Sequence, residues 1–266
     1  MTDPTPPLSG ASFGANPSFV DLLRDARPDE LAHLRHSVSA EAAAAVPHGT
    51  TVLGLIYADG VLVAGDRRAT SGYSIADETM RKVFAADDYS AIAIAGAAGM
   101  AVEMVRLFQL ELEHYEKLTG DRLSLEGKAN RLAQLIRQNF PLAMQGLVVV
   151  PLFGGFDERR GAGRLFYYDA TGGRWEEDDY QATGSGSQPA KNSLKKRWRA
   201  GLPREDAVRV AVEALLDASE DDVATGGPSV YRRIFPILLA VTATGADEVP
   251  GAEVEAAATA VLEERG

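Results

Sequence analysis

The chain has 266 residues, 45% of them hydrophobic and 24% charged, enough for one large domain or two small ones around a sizeable core. A formal charge of −11 argues against nucleic acid or an anionic membrane as the main partner. The absence of cysteine removes disulfides, thiolate metal sites and cysteine nucleophiles, and fits a cytoplasmic protein.

Residues 1–16 are rich in Pro, Ser and Gly and read as disordered, with neither the basic nor the apolar region of a secretory signal. Phe19, Leu22, Leu23, Leu31 and Leu34 fit a short amphipathic helix interrupted near Pro28. An alanine-rich connector leads to Pro47-His48-Gly49, and the composition changes at Thr50. Thr51–Ile56 and Val61–Ala64, separated by Asp59-Gly60, predict a hairpin. Strands are expected over 82–86 and 90–95, then a helix from Gly99 to Leu118. Leu125, Ala129, Leu132, Leu135 and Ile136 recur at helical spacing and predict a second helix over 124–145. Three more strands follow over 146–156, 164–169 and 174–183, with Gly172-Gly173 as a turn. A helix is expected after Gly184-Ser185-Gly186-Ser187 and another over 204–219, then a strand over 235–242 and a closing helix over 252–264. Strand blocks alternating with helix pairs predict layered sheets rather than a doubly wound parallel sheet. No internal repeat is present, and no apolar run approaches the ~20 residues of a membrane span.

Gly49-Thr50-Thr51 is the most informative step. A threonine hydroxyl inside a chain is a poor nucleophile, because nothing beside it takes its proton. Cleavage between Gly49 and Thr50 would give the same residue a free α-amine, with a pKa near ~8, to act as that base. The other candidates are individually weak. Gly65-Asp66-Arg67-Arg68 reads as well as a solvated charge cluster, and Lys82 as a surface lysine with its stem along a strand. Ala95-Gly96-Ala97-Ala98-Gly99 could be a packing turn; it has neither a phosphate-loop Lys-Ser/Thr nor the dinucleotide spacing. Together, Thr50, Lys82, Asp66 and the N–H of Gly96 supply a nucleophile, a cation to tune its base, a carboxylate to hold the cation and an oxyanion donor. His33 and His36 lack a carboxylate pattern, so no metal or cofactor is expected, and no Gly-x-Ser-x-Gly elbow occurs.

These pieces, read in order, resemble a known family. They are His-Gly-Thr-Thr at 48–51, Leu-Val-Ala-Gly-Asp-Arg-Arg at 62–68, Arg-Lys-Val at 81–83 and Ile-Ala-Gly at 94–96. They continue with Glu-Leu-Glu-His-Tyr-Glu-Lys-Leu at 111–118, Ala-Met-Gln-Gly-Leu at 143–147 and Tyr-Gln-Ala-Thr-Gly-Ser-Gly-Ser at 180–187. Arg-Val-Ala-Val-Glu-Ala-Leu at 209–215 and Asp-Asp-Val-Ala-Thr-Gly-Gly-Pro at 221–228 complete them. The chain resembles the β subunits of the 20S proteasome, actinobacterial type, within the N-terminal-nucleophile hydrolases, over nearly everything from Thr50 onward.

The resemblance implies an α+β fold, a four-layer α-β-β-α sandwich of two antiparallel sheets. It implies a propeptide over 1–49, removed by autocleavage between Gly49 and Thr50, and a catalytic domain over 50–266. Thr50 would be the nucleophile, Asp66 and Lys82 the charged pair, and Gly96 the oxyanion donor. Ser185, Asp222 and Thr225 would surround the amine; many relatives carry Ser where this chain has Thr225. Thr70 and Ala98 would hydrogen-bond an extended substrate, and Met80, Ile94, Ala98 and Val102 would form an apolar specificity pocket. The implied partners are α subunits, in a particle of stacked seven-membered β rings capped by α rings, and a ring ATPase that delivers tagged, unfolded proteins. Two relatives are disfavoured. Inactive α-type subunits lack the Thr/Asp/Lys set. The simpler hexameric bacterial peptidase typically has Gly-Asp-Gly and lacks a long leader.

Overall fold

In the computed structural model, residues 49–71 and 74–265 are described. The expected leader helix over 19–34, His33 and His36, and all of the expected propeptide except Gly49 lie outside them.

The first apolar run becomes β1 (Thr51–Tyr57), and the Asp59-Gly60 turn returns it as β2 (Gly60–Gly65). A short hairpin of β3 (Ala69–Ser71) and β4 (Ser74–Asp77) follows, which the sequence did not announce. Next come β5 (Val83–Asp87), β6 (Ser90–Gly96) and two helices, α1 (Ala98–Thr119) and α2 (Leu125–Ala143). Gly120 closes α1 in the left-handed conformation, and the Ser124 hydroxyl accepts the Gly127 N–H to cap α2. Then come β7 (Val149–Asp157), β8 (Ala162–Tyr168), β9 (Arg174–Glu177) and β10 (Tyr180–Gly184). α3 (Ser187–Arg197), α4 (Arg204–Asp221), β11 (Ile237–Thr242), β12 (Gly245–Glu248) and α5 (Gly251–Arg265) complete the described chain.

One sheet runs β10-β1-β2-β11-β12 and the other β5-β6-β7-β8-β9, with every neighbouring pair antiparallel. Strand alternation explains why their sequences are apolar almost throughout. Val52, Val61 and Val63 face Ala91, Ala93, Leu152 and Leu165 between the sheets. The alternate residues Leu53, Leu55, Leu62 and Ala64 face α3, α4 and α5. Ile92, Ile94 and Phe153 pack on α1 and α2 across the other sheet. Helices therefore cover both outer faces, which is the expected four-layer α-β-β-α sandwich.

The expected single strand over 174–183 is two strands in different sheets. Asp178-Asp179 breaks it, so β9 ends one sheet and β10 pairs with β1 in the other. This crossing brings Gly184-Ser185-Gly186 beside the start of β1. On the far sheet Arg164, buried over the Phe166 ring, donates to Glu176 (2.6 Å), Glu126 (2.7 Å) and Asp157 (2.9 Å), tying β8 to β9, α2 and the end of β7.

Candidate active site

Thr50 immediately precedes β1, and Thr51 is the strand's first residue. The Thr51 N–H donates to Asp66 Oδ1 (2.9 Å) and its carbonyl accepts the Asp66 N–H (3.1 Å), so the strand start is tied to the end of β2. Asp66 Oδ1 also receives Lys82 Nζ at 2.7 Å, and Oδ2 receives the N–H groups of Arg68 (2.9 Å) and Gly226 (2.8 Å). Both Asp66 and Lys82 are buried. They are neither a solvated cluster nor a surface lysine.

Lys82 Nζ donates further to the carbonyls of Arg68 and, at 3.4 Å, Gly49. Burial pushes the Lys82 ammonium below its ordinary value; Asp66 pulls it upward, as does Asp222 more weakly, while Arg68 adds to the lowering.

The Gly49 carbonyl that Lys82 reaches also accepts the Thr50 hydroxyl at 2.6 Å. Gly49 has φ +90°, and a Cβ there would lie 2.3 Å from Thr70 Oγ1 and 2.7 Å from Ala224 Cβ. Both the backbone conformation and the space require glycine.

On the other side of Thr50, its N–H points to Ser185 Oγ at 3.4 Å, and its carbonyl accepts the Ser185 N–H at 2.9 Å. Ser185 Oγ and Thr225 Oγ1 each donate to Asp222 Oδ2 at 2.6 Å. Asp222 follows α4 directly, and its carbonyl accepts the Thr225 N–H (3.0 Å), which shapes this turn. Ser185, from the β10–α3 turn, thus meets the Thr50 nitrogen, and Asp222 and Thr225, from the loop after α4, stand behind it.

Gly96 ends β6 with φ +110°. The N–H groups on either side locate its own. Ala97 N–H bonds Val148 O on β7, whereas Ile94 N–H bonds Lys82 O on the opposite edge. By strand alternation the Gly96 N–H faces the Lys82 edge, one step past the start of β5, where the strand ladder no longer provides an acceptor.

Thr70 lies on β3 and Ala98 opens α1, both half-buried. Ile94 is buried, with Val102 packed against the same cluster, and Met80 is half-buried with its N–H on Arg67 O (3.0 Å). A cleft of about 400 Å³ opens instead between Arg67, Arg68, Glu78, Thr225, Gly226 and Arg232, and none of the four expected pocket residues lines it. Sequence reasoning missed Thr51, whose hydroxyl lies 2.6 Å from that of Thr225. The only signal was a polar residue opening an otherwise apolar strand.

This arrangement presents a hydroxyl and a tuned cation to one carbonyl, that of Gly49, which is equipment for acyl transfer. The comparisons agree with that chemistry. Residues 46–231 match the family described as "Proteasome subunit". The chain is 54% identical over 248 residues to a protein of Streptomyces griseus named "Proteasome subunit beta", covering 93% of this chain and 88% of that one. It is 52% identical over 252 residues to a protein of the same name from Stackebrandtia nassauensis, covering 93% and 90%. The chain belongs to the proteasome subunit family, within its catalytic β class.

Proposed function

We propose that Thr50 is the nucleophile of this threonine-type endopeptidase, and that Gly49–Thr50 is the bond the chain cuts in itself. The observation that carries this reading is the Gly49 carbonyl oxygen, which receives the Thr50 hydroxyl at 2.6 Å and Lys82 Nζ at 3.4 Å. Thr50 Oγ attacks the Gly49 carbonyl carbon, and Lys82 stabilises the oxyanion. The proton lost from Oγ passes to the Thr50 nitrogen as the C–N bond breaks, leaving an ester between Gly49 and Thr50 Oγ and a free Thr50 amine. Water then hydrolyses the ester, releasing the Gly49 carboxylate and restoring the Thr50 hydroxyl beside its new amine.

In the mature enzyme that amine accepts the Oγ proton as Oγ attacks a substrate carbonyl, and passes it to the leaving nitrogen. The Lys82 charge keeps the amine neutral at working pH, Asp66 holds Lys82 in place, and the Gly96 N–H receives the developing oxyanion. Ser185, oriented by Asp222 and Thr225, accepts a hydrogen bond from the amine. Thr70 and Ala98 align the substrate backbone, and Met80, Ile94, Ala98 and Val102 receive an apolar or aromatic side chain before the scissile bond.

The chain assembles with other subunits into a proteasome core particle. The finer reading is a cytoplasmic particle of two seven-membered β rings capped by α rings and supplied with tagged, unfolded proteins by a ring ATPase. Among the described residues no helix is long and apolar enough to cross a membrane. Intact-mass analysis of the chain assembled with its α partner tests the proposal. The expected product begins at Thr50, and Thr50→Ala should abolish both self-cleavage and peptide hydrolysis. A full-length chain in an active particle, or residual peptidase activity in Thr50→Ala, refutes it.

A further inference from the structure

Thr51 is a polar residue with no exposure at all, placed next to the nucleophile. We infer that it is a positioning residue, whose hydroxyl fixes Thr225 and Asp222 so that Ser185 is held against the Thr50 nitrogen; this rests on Thr50 being the nucleophile.

The direction of each hydrogen bond follows from counting protons. A threonine hydroxyl has one to give. The Gly186 N–H donates to Thr51 Oγ1 at 3.0 Å, and Thr225 Oγ1 lies 2.6 Å from the same oxygen. Distance alone does not say which threonine donates. Thr225, however, commits its proton to Asp222 Oδ2 at 2.6 Å, because a carboxylate only accepts. Thr51 must therefore donate to Thr225. Ser185 likewise commits its proton to Asp222 Oδ2 at 2.6 Å rather than to Thr50 O at 3.4 Å, which turns its lone pairs toward Thr50 N. The directed chain runs from Gly186 N–H through Thr51 and Thr225 to Asp222, where Ser185 enters from the other side.

The Thr51 hydroxyl is closely packed between Gly186 and Thr225. A Cβ on Gly186 would lie 2.4 Å from Thr51 Oγ1 and 2.7 Å from Thr225 Oγ1, so the two hydroxyls and the turn are in close contact. Through its backbone Thr51 also grips Asp66 in both directions, at 2.9 and 3.1 Å. One residue thus joins the Asp66–Lys82 half of the site to the Asp222–Ser185 half. Hydrogen bonds in such a chain strengthen one another, so loss of the first donor loosens the last acceptor.

The experiment compares Thr51→Val and Thr51→Ser in the particle assembled with its α partner, after intact mass confirms chains beginning at Thr50. Thr51→Val keeps the shape and removes the hydroxyl. It should lower kcat for a peptide about tenfold, the worth of one hydrogen bond, with KM unchanged. Thr51→Ser should restore kcat. Wild-type kcat in Thr51→Val, a loss confined to KM, or an equal loss in Thr51→Ser overturns the inference. If Thr51→Val does not assemble, the double variant T51V/T225V is compared with T225V alone. Because Thr51 acts through Thr225, the two should have the same kcat, and a further loss in the double variant overturns the inference. Thr50→Ala measured alongside separates the two readings. Activity there removes the nucleophile assignment, whereas inactive Thr50→Ala with wild-type Thr51→Val removes only the positioning role.

Discussion

Lys82 Nζ sits 2.7 Å from Asp66 Oδ1, with both side chains at most 1% exposed. Asp66 meanwhile accepts the N–H groups of Thr51, Arg68 and Gly226. Its charge is thus compensated on every side, and a buried lysine ammonium is held within reach of the Gly49 carbonyl. An amide at this position would turn its NH₂ toward existing donors. Asp66→Asn is expected to destabilise the chain by about 3–5 kcal/mol and lower peptidase activity by about 10²-fold or more. Chemical denaturation and peptide kinetics on the same preparation check both; a stable, fully active variant would show the pair to be incidental.

The pH dependence follows from Lys82. Burial holds its folded value below the ordinary 10.5, so between the two values the unfolded chain binds the proton that the folded chain has released. Stability therefore rises with pH through that window, and the contribution is lost as pH falls through the folded value. Under the role proposed for Lys82, activity runs the other way, since the charged form is the one that tunes the amine. The alkaline limb of kcat/KM should lie below 10.5, and lower still in Asp66→Asn, because Asp66 favours the charged lysine. A limb at or above 10.5 in the wild type would dissociate Lys82 from the chemistry.

Gly49 is constrained by conformation and by space at once. A methyl group there faces Thr70 Oγ1 at 2.3 Å in a backbone region that costs L-residues about 1 kcal/mol or more. Gly49→Ala should slow self-cleavage by at least about tenfold and leave precursor in assembled particles, read by intact mass over time. Rapid processing of that variant would mean the bond is cut from a different conformation.

Arg164 is the corresponding anchor on the far sheet. Arg164→Ala leaves Glu126, Asp157 and Glu176 facing one another and should cost about 3 kcal/mol in unfolding of the full chain. Hydrogen bonds from Arg174 and Arg164 hold Glu126 and Glu176 below their ordinary values. The stability they add is present above the ordinary carboxylate range and lost as pH falls through the folded values, so Arg164→Ala should flatten the acid limb of the unfolding profile.

Cleavage preference tests the pocket. Peptides with Tyr or Leu before the scissile bond should be cut faster than those with Arg or Asp, given the apolar character of Met80, Ile94, Ala98 and Val102. The reverse order would relocate the pocket toward the charged cleft around Arg67 and Arg232.

Most of the architecture was legible because burial on both faces leaves its mark. Alternating sets such as Val61/Val63 and Leu62/Ala64 serve different layers, and continuous apolar runs record that. The β9–β10 break was not legible, since two aspartates between strand-forming residues look like a polar patch on one strand. β12, with the sequence Gly-Ala-Asp-Glu, has almost no strand character and forms because β11 offers it an edge. Thr50, Asp66, Lys82, Ser185, Asp222 and Thr225 could be proposed from a family resemblance and are found together. Thr51 could not, because the role inferred for it depends on which way a proton points, and that follows only from where Gly186, Thr225 and Asp222 lie around it.

Newly made chain ends ordinarily fray, and each frayed residue must be ordered again before it can act, at about 1–2 kcal/mol of backbone entropy. Thr50 is exempt. Its carbonyl is held by Ser185 N–H, and the next residue enters a strand paired with β10 on one side and β2 on the other. Severing the bond before it would create a terminus already fixed in place, so the cut enzyme would inherit its alignment from the uncut one.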